Sequence, residues 1–236
     1  LHYRSADRFM EAGETVVMDI GASYRGYAAD VTRTLPVSGR FSPDQRAVYE
    51  IVLAAQKAGE ARLRPGATVP QIADAASDVV AQGLARLGLI DSPTATYDCG
   101  ARKCPQWSLF YMHGFGHAIG MDVHDVDSAS IGGTFVEGSA FTIEPGIYVR
   151  GDVLDYLPDT PGNRDLRTRR APAVARYRNI GVRIEDDYFV TADGAERVSA
   201  GAPREVAEIE RMMAQPGAWN TTRAPEVVEW YRGTRP

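Results

Sequence analysis

The segment Phe110–Val126 reads F-Y-M-H-G-F-G-H-A-I-G-M-D-V-H-D-V and contains three of the four histidines of the 236-residue chain. These are His113, His117 and His124, and three glycines between them let the backbone approach closely whatever the imidazoles bind. The fourth histidine, His2, lies near the start of the chain. Such a grouping indicates that the histidines act together at one site.

Four carboxylates flank this segment, each in a short apolar, strand-like run where an unpaired charge is costly. They are Asp19, Asp30, Glu144 and Glu185. Brought together without cations, they would repel one another and raise each other's pKa values. Two divalent cations would balance the four charges, and the oxygen-rich set completed by His117 suits Mn(II), with Co, Fe or Zn as alternatives. Each residue alone has an ordinary structural explanation, but together the five predict a dinuclear metal site.

A strand, a reversal and a second strand are predicted within residues 14–34. The first strand reads T-V-V-M-D-I, the reversal A-S-Y-R-G-Y and the second strand A-A-D-V-T-R-T. β-Branched residues and alternation of apolar and polar residues support both strands. If the strands pair as a hairpin, Asp19 and Asp30 stand on adjacent strands and can face a common point.

Two helices are predicted after this hairpin. Ser42 and Thr68 each begin a capping-box pattern, with proline in the first turn and glutamine three residues on. These patterns predict helices that end near Leu63 and Leu87. The remaining signals predict strands over 140–149 and 181–190, irregular segments over 91–107 and 150–179, and a closing helix over 203–213.

The two irregular segments carry distinctive residues. The second contains a cluster of arginines between positions 164 and 170, which predicts a solvated loop, with a short helix around residues 173–177. The first contains Cys99 and Cys104, too few thiols for a structural zinc site without a nearby histidine. They are either free thiols or a short-loop disulfide. A disulfide would indicate an oxidising compartment, whereas free thiols favour the cytoplasm.

Composition narrows the classes of partner. The net charge of −5 gives no support to a nucleic-acid partner. No apolar run approaches the ~18 residues that a membrane span needs, so no membrane partner is expected. Hydrophobic residues make up 44% of the chain, enough for a sizeable core.

Four segments resemble the metal-binding motifs of the M24 metallopeptidases, in particular the aminopeptidase P and prolidase branch. They read M-D-I-G-A-S-Y-R-G-Y-A-A-D-V-T-R-T, H-G-F-G-H-A-I-G-M-D-V-H-D-V, T-I-E-P-G-I-Y-V and G-V-R-I-E-D-D-Y, and they occur in family order. The resemblance implies an α+β pita-bread fold, in which helices cover a curved antiparallel sheet. It implies a catalytic domain over residues 1–213, incomplete at its N-terminus, and a tail over 214–236.

The resemblance also implies roles for individual side chains. The implied metal ligands are Asp19, Asp30, His117, Glu144 and Glu185, with Asp30 and Glu185 bridging the two metals. The implied substrate-binding histidines are His2, His113 and His124, of which His113 and His124 also act in catalysis. Arg183 matches a supporting arginine beside Glu185, and Tyr148 is a weaker candidate for the same surroundings.

The implied activity is that of an Xaa-Pro aminopeptidase, which hydrolyses the bond between an N-terminal residue and a following proline. In this family a hydroxide that bridges the two metals attacks the carbonyl carbon, and Glu144 would act as general acid and base. A prolidase restricted to Xaa-Pro dipeptides is the first alternative. A metal-free binding module of the same fold is an alternative of another class, and a creatinase-like hydrolase is disfavoured because it would not need the metal carboxylates.

The sequence departs from the family pattern in two ways that affect these expectations. Family members carry an N-terminal domain, opening helices and a strand before the segment that matches L-H-Y at residues 1–3. We therefore expect that portion as a second polypeptide, and by analogy a homo-oligomer, most simply a dimer. The stretch between Glu144 and Glu185 is longer than in compact aminopeptidases P and closer to prolidases, which leaves substrate length open.

Overall fold

The computed structural model describes residues 9–127, 129, 131–216, 226 and 229. Its helices are α1 (Pro43–Glu60), α2 (Val69–Arg86), α3 (Pro161–Tyr177) and α4 (Val206–Met213). Its strands are β1 (Thr15–Ile20), β2 (Ser23–Tyr24), β3 (Tyr27–Ala28), β4 (Val31–Pro36), β5 (Thr96–Asp98), β6 (Lys103–Pro105), β7 (Ala140–Ile143), β8 (Gly146–Val149), β9 (Ile180–Arg183), β10 (Asp186–Thr191) and β11 (Gly194–Arg197). Across these described residues, the helices lack the combination of length and hydrophobicity that a membrane span requires.

The strands form antiparallel pairs, in agreement with the predicted α+β class. β1 pairs with β4, β8 with β9, and β10 lies between β7 and β11. The predicted hairpin over residues 14–34 is confirmed, with Asp19 opposite Thr32 and the short β2–β3 ribbon at its tip. Asp30 precedes the first residue of β4.

Helices α1 and α2 begin where their capping boxes predict. Ser42 and Thr68 each accept a hydrogen bond from the backbone of the glutamine three residues on. The two helices pack closely because Gly83 faces Ile51, where an added Cβ would lie 2.4 Å from the isoleucine side chain. Gln56 of α1 is fully buried and reaches the opposite layer of the fold.

The Gln56 side chain links α1 to both glutamate-bearing turns. Its amide nitrogen lies 3.1 Å from the carbonyl oxygen of Ile143 and 3.3 Å from that of Ile184. Each isoleucine immediately precedes one of the predicted metal ligands, Glu144 or Glu185. One helix therefore supports the backbone of both turns.

The prediction of an irregular, solvated segment over residues 150–179 is wrong for most of its length. Helix α3 occupies Pro161–Tyr177, with Thr160 as its N-cap. Its arginines anchor it to the segment that follows α2: Arg169 pairs with Asp91 at 2.9 Å, and Arg170 donates to the carbonyl oxygen of Gly88 at 2.9 Å. These tertiary contacts stabilise the helix. Its internal proline and its weak apolar periodicity explain why the sequence pattern did not predict it.

The prediction of an irregular segment over residues 91–107 is also wrong in part. Strands β5 and β6 form a hairpin there, and Cys99 and Cys104 are joined by a disulfide across a Cα–Cα distance of 5.8 Å. The free-thiol alternative is therefore excluded. Asn163 of α3 holds the hairpin by accepting from the backbone N–H of Asp98 and donating to its carbonyl oxygen.

The closing helix is present but shorter than predicted. α4 begins at Val206, because Pro203 lies before the first turn and not within it. Ile209 of α4 is fully buried in the core. Most of the predicted tail over 214–236 lies outside the described residues.

Candidate metal centre

The described residues predicted for the site lie around one cavity of about 230 Å³. They come from β1, from the residue before β4, from the glycine-rich segment, from the end of β9 and from the turns that follow β7 and β9. The residues in question are Asp19, Asp30, His113, His117, His124, Glu144, Arg183 and Glu185. His2, predicted to bind substrate, lies outside the described residues.

The glycine-rich segment reaches the site by running directly against β7. The backbone N–H of Thr142 donates to the carbonyl oxygen of His117, and that of Glu144 to the carbonyl oxygen of Phe115, both at 2.8 Å. An added Cβ at Gly116 would lie 2.0 Å from the carbonyl oxygen of Thr142, so only glycine permits this approach. The pairing sets His117 and Glu144 side by side.

The imidazole of His117 is oriented toward three carboxylates. Its Nδ1 lies 3.0 Å from the carbonyl oxygen of Ala118, so Nε2 faces the cavity. From Nε2 the distances are 3.6 Å to an oxygen of Asp30, 3.6 Å to one of Glu185 and 3.8 Å to one of Glu144. These separations are too long for good hydrogen bonds. They leave room for a cation with ligand bonds of about 2.0–2.2 Å.

Glu185 provides an independent test of whether the residues fit a metal ion. Its side chain is 2% exposed, and its Oε1 is buried without a hydrogen-bond partner among the described residues. An anionic oxygen in that state is costly unless a cation neutralises it. The donor set of carboxylates and one imidazole is also typical of hard or borderline divalent metals.

The potential ligands form three overlapping groups, and within each group the ligand atoms lie within 4.8 Å of one another. The groups are Asp19–Asp30–Glu185, His117–Glu144–Glu185 and Asp30–His117–His124. Asp30, Glu185 and His117 each belong to two groups. Of these, Asp30 and Glu185 carry carboxylates, whose two oxygens can each bind a different one of two adjacent ions. The residues therefore fit a pair of divalent cations.

Charge crowding shifts the pKa values within the cluster. Burial, followed by repulsion from Glu185, raises the pKa of Glu144 to about 8. Burial alone would lower the pKa of His117, but the nearby carboxylates of Asp30 and Glu185 outweigh it and raise the pKa to about 10. Burial opposes ionisation of Asp30, yet its contact with His117 holds its pKa below the usual value. Without cations the cluster thus retains protons, which metal binding would displace.

Arg183 connects the cluster to two neighbouring side chains. It is buried and donates to a carboxylate oxygen of Asp19 at 2.5 Å and to the hydroxyl oxygen of Tyr148 at 2.9 Å. The Tyr148 hydroxyl lies 2.9 Å from Nε2 of His113. One guanidinium therefore orients a predicted metal ligand directly and His113 through the tyrosine.

Three further residues of the site were not predicted from the sequence. The hydroxyl of Thr32 donates to Glu185 at 2.7 Å, and the hydroxyl of Thr142 accepts from the backbone N–H of His117 at 3.1 Å. The carboxylate of Asp187 accepts from the backbone N–H of Asp30 at 3.1 Å. Alternation along β4 could have indicated Thr32, because it shares a strand face with Asp30.

His124, predicted to bind substrate, lies next to the proposed metal ligand His117. Its ring centroid is 4.1 Å from that of His117, and its side chain is exposed. It also belongs to one of the three ligand groups, with Asp30 and His117. Its geometry is therefore compatible either with binding substrate or with binding a cation.

Comparisons with known proteins identify the family of this chain. The model of metallopeptidase family M24 matches residues 1–192. Xaa-Pro aminopeptidase 1 of Streptomyces coelicolor is 40% identical over 220 residues, which cover 91% of this chain and 40% of that protein. The Xaa-Pro aminopeptidase of Haemophilus influenzae is 38% identical over 90% of this chain and 45% of its own length.

Solved structures of aminopeptidases share the fold of this chain. Aminopeptidase PepP of Pseudomonas aeruginosa superposes with a TM-score of 0.74 at 38% identity, covering 91% of this chain and 44% of that one. Escherichia coli aminopeptidase P gives a TM-score of 0.71 at 31% identity, with 90% and 44% covered. The chain spans less than half the length of these relatives, and the predicted pita-bread fold is confirmed. With this match across most of its length, the chain belongs to metallopeptidase family M24.

Proposed function

We propose that this chain carries the active site of a dinuclear metal-dependent aminopeptidase, which hydrolyses the bond between an N-terminal residue and a following proline. The observation that carries the proposal is the set of three overlapping ligand groups around one cavity that His113 and Arg183 also line. The relatives named Xaa-Pro aminopeptidase supply the substrate class.

Five side chains would hold the cations. One ion would be bound by Asp19, Asp30 and Glu185. The other would be bound by His117, Glu144 and Glu185. Asp30 would contact this second ion too, so that both Asp30 and Glu185 are shared. The oxygen-rich donor set favours Mn(II). When bound, the two cations would lower the pKa of a water molecule and polarise the carbonyl of the scissile bond.

The protein's own side chains would transfer the proton and bind the substrate carbonyl. Glu144 would take a proton from the attacking water and deliver it to the prolyl nitrogen, which needs a proton to leave as an amine. Its carboxylate lines the cavity and lies 3.8 Å from both Nε2 of His117 and Nδ1 of His113. His124 would donate a hydrogen bond to the substrate carbonyl as negative charge develops there. The ring nitrogens of His113 contact the Tyr148 hydroxyl and the carbonyl oxygen of Gly114, so His113 would contact the substrate beside the reacting carbonyl.

A peptide assay tests the proposed activity. The Mn(II)-loaded chain is incubated separately with Gly-Pro-Ala, with the dipeptide Gly-Pro, and with Gly-Ala-Ala as a control. We expect free glycine from the first peptide and none from the control. Cleavage of the dipeptide alone would make the protein a prolidase, and absence of both cleavage and metal uptake would favour a binding module. Light scattering of the same sample checks the proposed dimer.

Replacing His124 by alanine separates its two possible roles. We expect kcat on Gly-Pro-Ala to fall by about 10²–10³, the cost of losing one donor to a developing oxyanion. Bound manganese, measured by elemental analysis, should stay at the wild-type ratio because the five proposed ligands remain. Loss of one manganese ion per chain would instead make His124 a ligand.

A further inference from the structure

Strand β4 faces the segment that carries Arg183 and Glu185, although no regular sheet joins them. β4 pairs with β1, and β9 pairs with β8. The backbone bond between the two segments runs from the N–H of Glu185 to the carbonyl oxygen of Thr32, at 3.0 Å. Side chains make the other links across this junction. Arg33 donates across this junction to the carbonyl oxygen of Glu185 and to the carboxylate of Asp186.

Three further side-chain links follow one antiparallel register. They join Asp30 with Asp187, Thr32 with Glu185 and Thr34 with Arg183, so each step of two residues along β4 is matched by two residues in the opposite direction. Two of the six residues are proposed metal ligands, one on each side of the junction. The register therefore determines how far Asp30 lies from Glu185.

Thr34 makes the link that most resembles a sheet pair. Its hydroxyl donates to the carbonyl oxygen of Arg183 at 2.9 Å and accepts from the backbone N–H of the same residue at 3.0 Å. Thr34 is fully buried, so both backbone groups of Arg183 depend on this one hydroxyl in place of water. Thr34 does not belong to the residues that line the cavity.

We propose that Thr34 is a positioning residue that sets the register between β4 and residues 183–187, and so brings Asp30 and Glu185 to the same pair of cations. The inference rests on the proposed dinuclear site. Without the hydroxyl, two buried backbone groups of Arg183 lose their partners, a loss that a shift of the segment toward other partners would relieve. Such a shift separates ligands that now lie within 4.8 Å of one another.

The test compares three variants by calorimetric titration with Mn(II) alone. Thr34→Val removes the hydroxyl at nearly constant volume, and we expect manganese affinity to fall about tenfold, the lower end of the usual loss when a group that supports the metal ligands is removed. Thr34→Ser restores a hydroxyl and should restore affinity. Thr15→Val is the matched control, because it removes another threonine hydroxyl bond to β9, to the carbonyl oxygen of Gly181 at 3.1 Å, away from the ligands.

A second measurement follows the junction itself. Hydrogen exchange of the Glu185 amide in the metal-free protein should accelerate about tenfold in Thr34→Val and not in Thr15→Val. If Thr34→Val does not fold, as judged by circular dichroism, Thr34→Ala removes the same hydroxyl with less bulk and is titrated instead.

The outcomes separate this inference from the proposed activity. Wild-type manganese affinity in the hydroxyl-free variant would overturn the inference, as would an equal loss in Thr15→Val or no rescue by serine. Wild-type chain that binds two manganese ions but cleaves no Xaa-Pro peptide would overturn the proposed activity alone. Unchanged exchange at Glu185 would overturn the register argument whether or not metal binds.

Discussion

Peptide hydrolysis will fall by at least about a thousandfold when Glu185 is replaced by glutamine, a loss of about 4 kcal/mol of transition-state stabilisation. The reason is that Glu185 belongs to two of the three ligand groups and has a buried oxygen without a hydrogen-bond partner among the described residues. An amide at this position supplies no negative charge between the two cations. The measurement is kcat/KM on Gly-Pro-Ala at saturating Mn(II), with bound manganese determined in parallel.

The same variant should have the opposite effect on the metal-free protein. Glu185 raises the pKa of Glu144 by repulsion, so removing its charge relieves like-charge strain and should raise the thermal midpoint of the apo chain. Wild-type protein should gain about 2.7 kcal/mol from Mn(II) at a hundred times the dissociation constant, equivalent to roughly 5–10 °C for a chain of this size. Glu185→Gln should lose most of that gain.

Glu196→Gln is the control for both measurements, because it makes the same change at an exposed glutamate of β11. We expect wild-type hydrolysis and a wild-type response to Mn(II) from it. Glu185→Gln protein that retains two manganese ions and hydrolyses peptide within tenfold of wild type would show that Glu185 does not bridge the cations.

Replacing Glu144 by glutamine should lower kcat by about 10²–10⁴, the usual contribution of a positioned general acid or base. The amide keeps one oxygen near His117 but cannot accept and return a proton. KM for Gly-Pro-Ala should change little, since the substrate contacts of His113 and His124 remain. The measurement is a full kinetic curve at several Mn(II) concentrations, which separates a defect in kcat from weakened metal binding.

High Mn(II) provides the decisive comparison for Glu144. If excess metal restores kcat to within tenfold of wild type, the residue acts as a ligand only and the proton-transfer role is wrong. If kcat stays low at full metal occupancy, proton transfer accounts for the loss. Glu196→Gln again serves as the matched control at an exposed position.

Local signals were reliable where neighbouring residues determine structure. Ser42 and Thr68 start their helices as predicted, because a capping box satisfies backbone groups within one turn of the chain. The strand alternation around Asp19 likewise predicted the hairpin. These signals involve partners a few residues apart or a simple period, so they are readable without the tertiary structure.

Long-range contacts determine the features that could not be predicted from the sequence pattern. Helix α3 depends on pairs such as Arg169 with Asp91, 78 residues apart, and its own apolar pattern is weak. The Cys99–Cys104 disulfide could not be distinguished from free thiols by spacing alone. Thr34 reads as an ordinary strand residue until the fold brings it to Arg183, 149 residues away.

By itself the sequence determined the chemistry available to this protein: four carboxylates and a histidine cluster whose charges call for cations, carried on recognisable strands and turns. Only the tertiary structure decided the geometry, namely which oxygens lie 3.6–3.8 Å from His117 and which hydroxyls hold the two ligand-bearing segments in register. The physical reason is that charge and periodicity are properties of the residues themselves. The distance between two carboxylates depends instead on packing and hydrogen bonds among residues far apart in the chain.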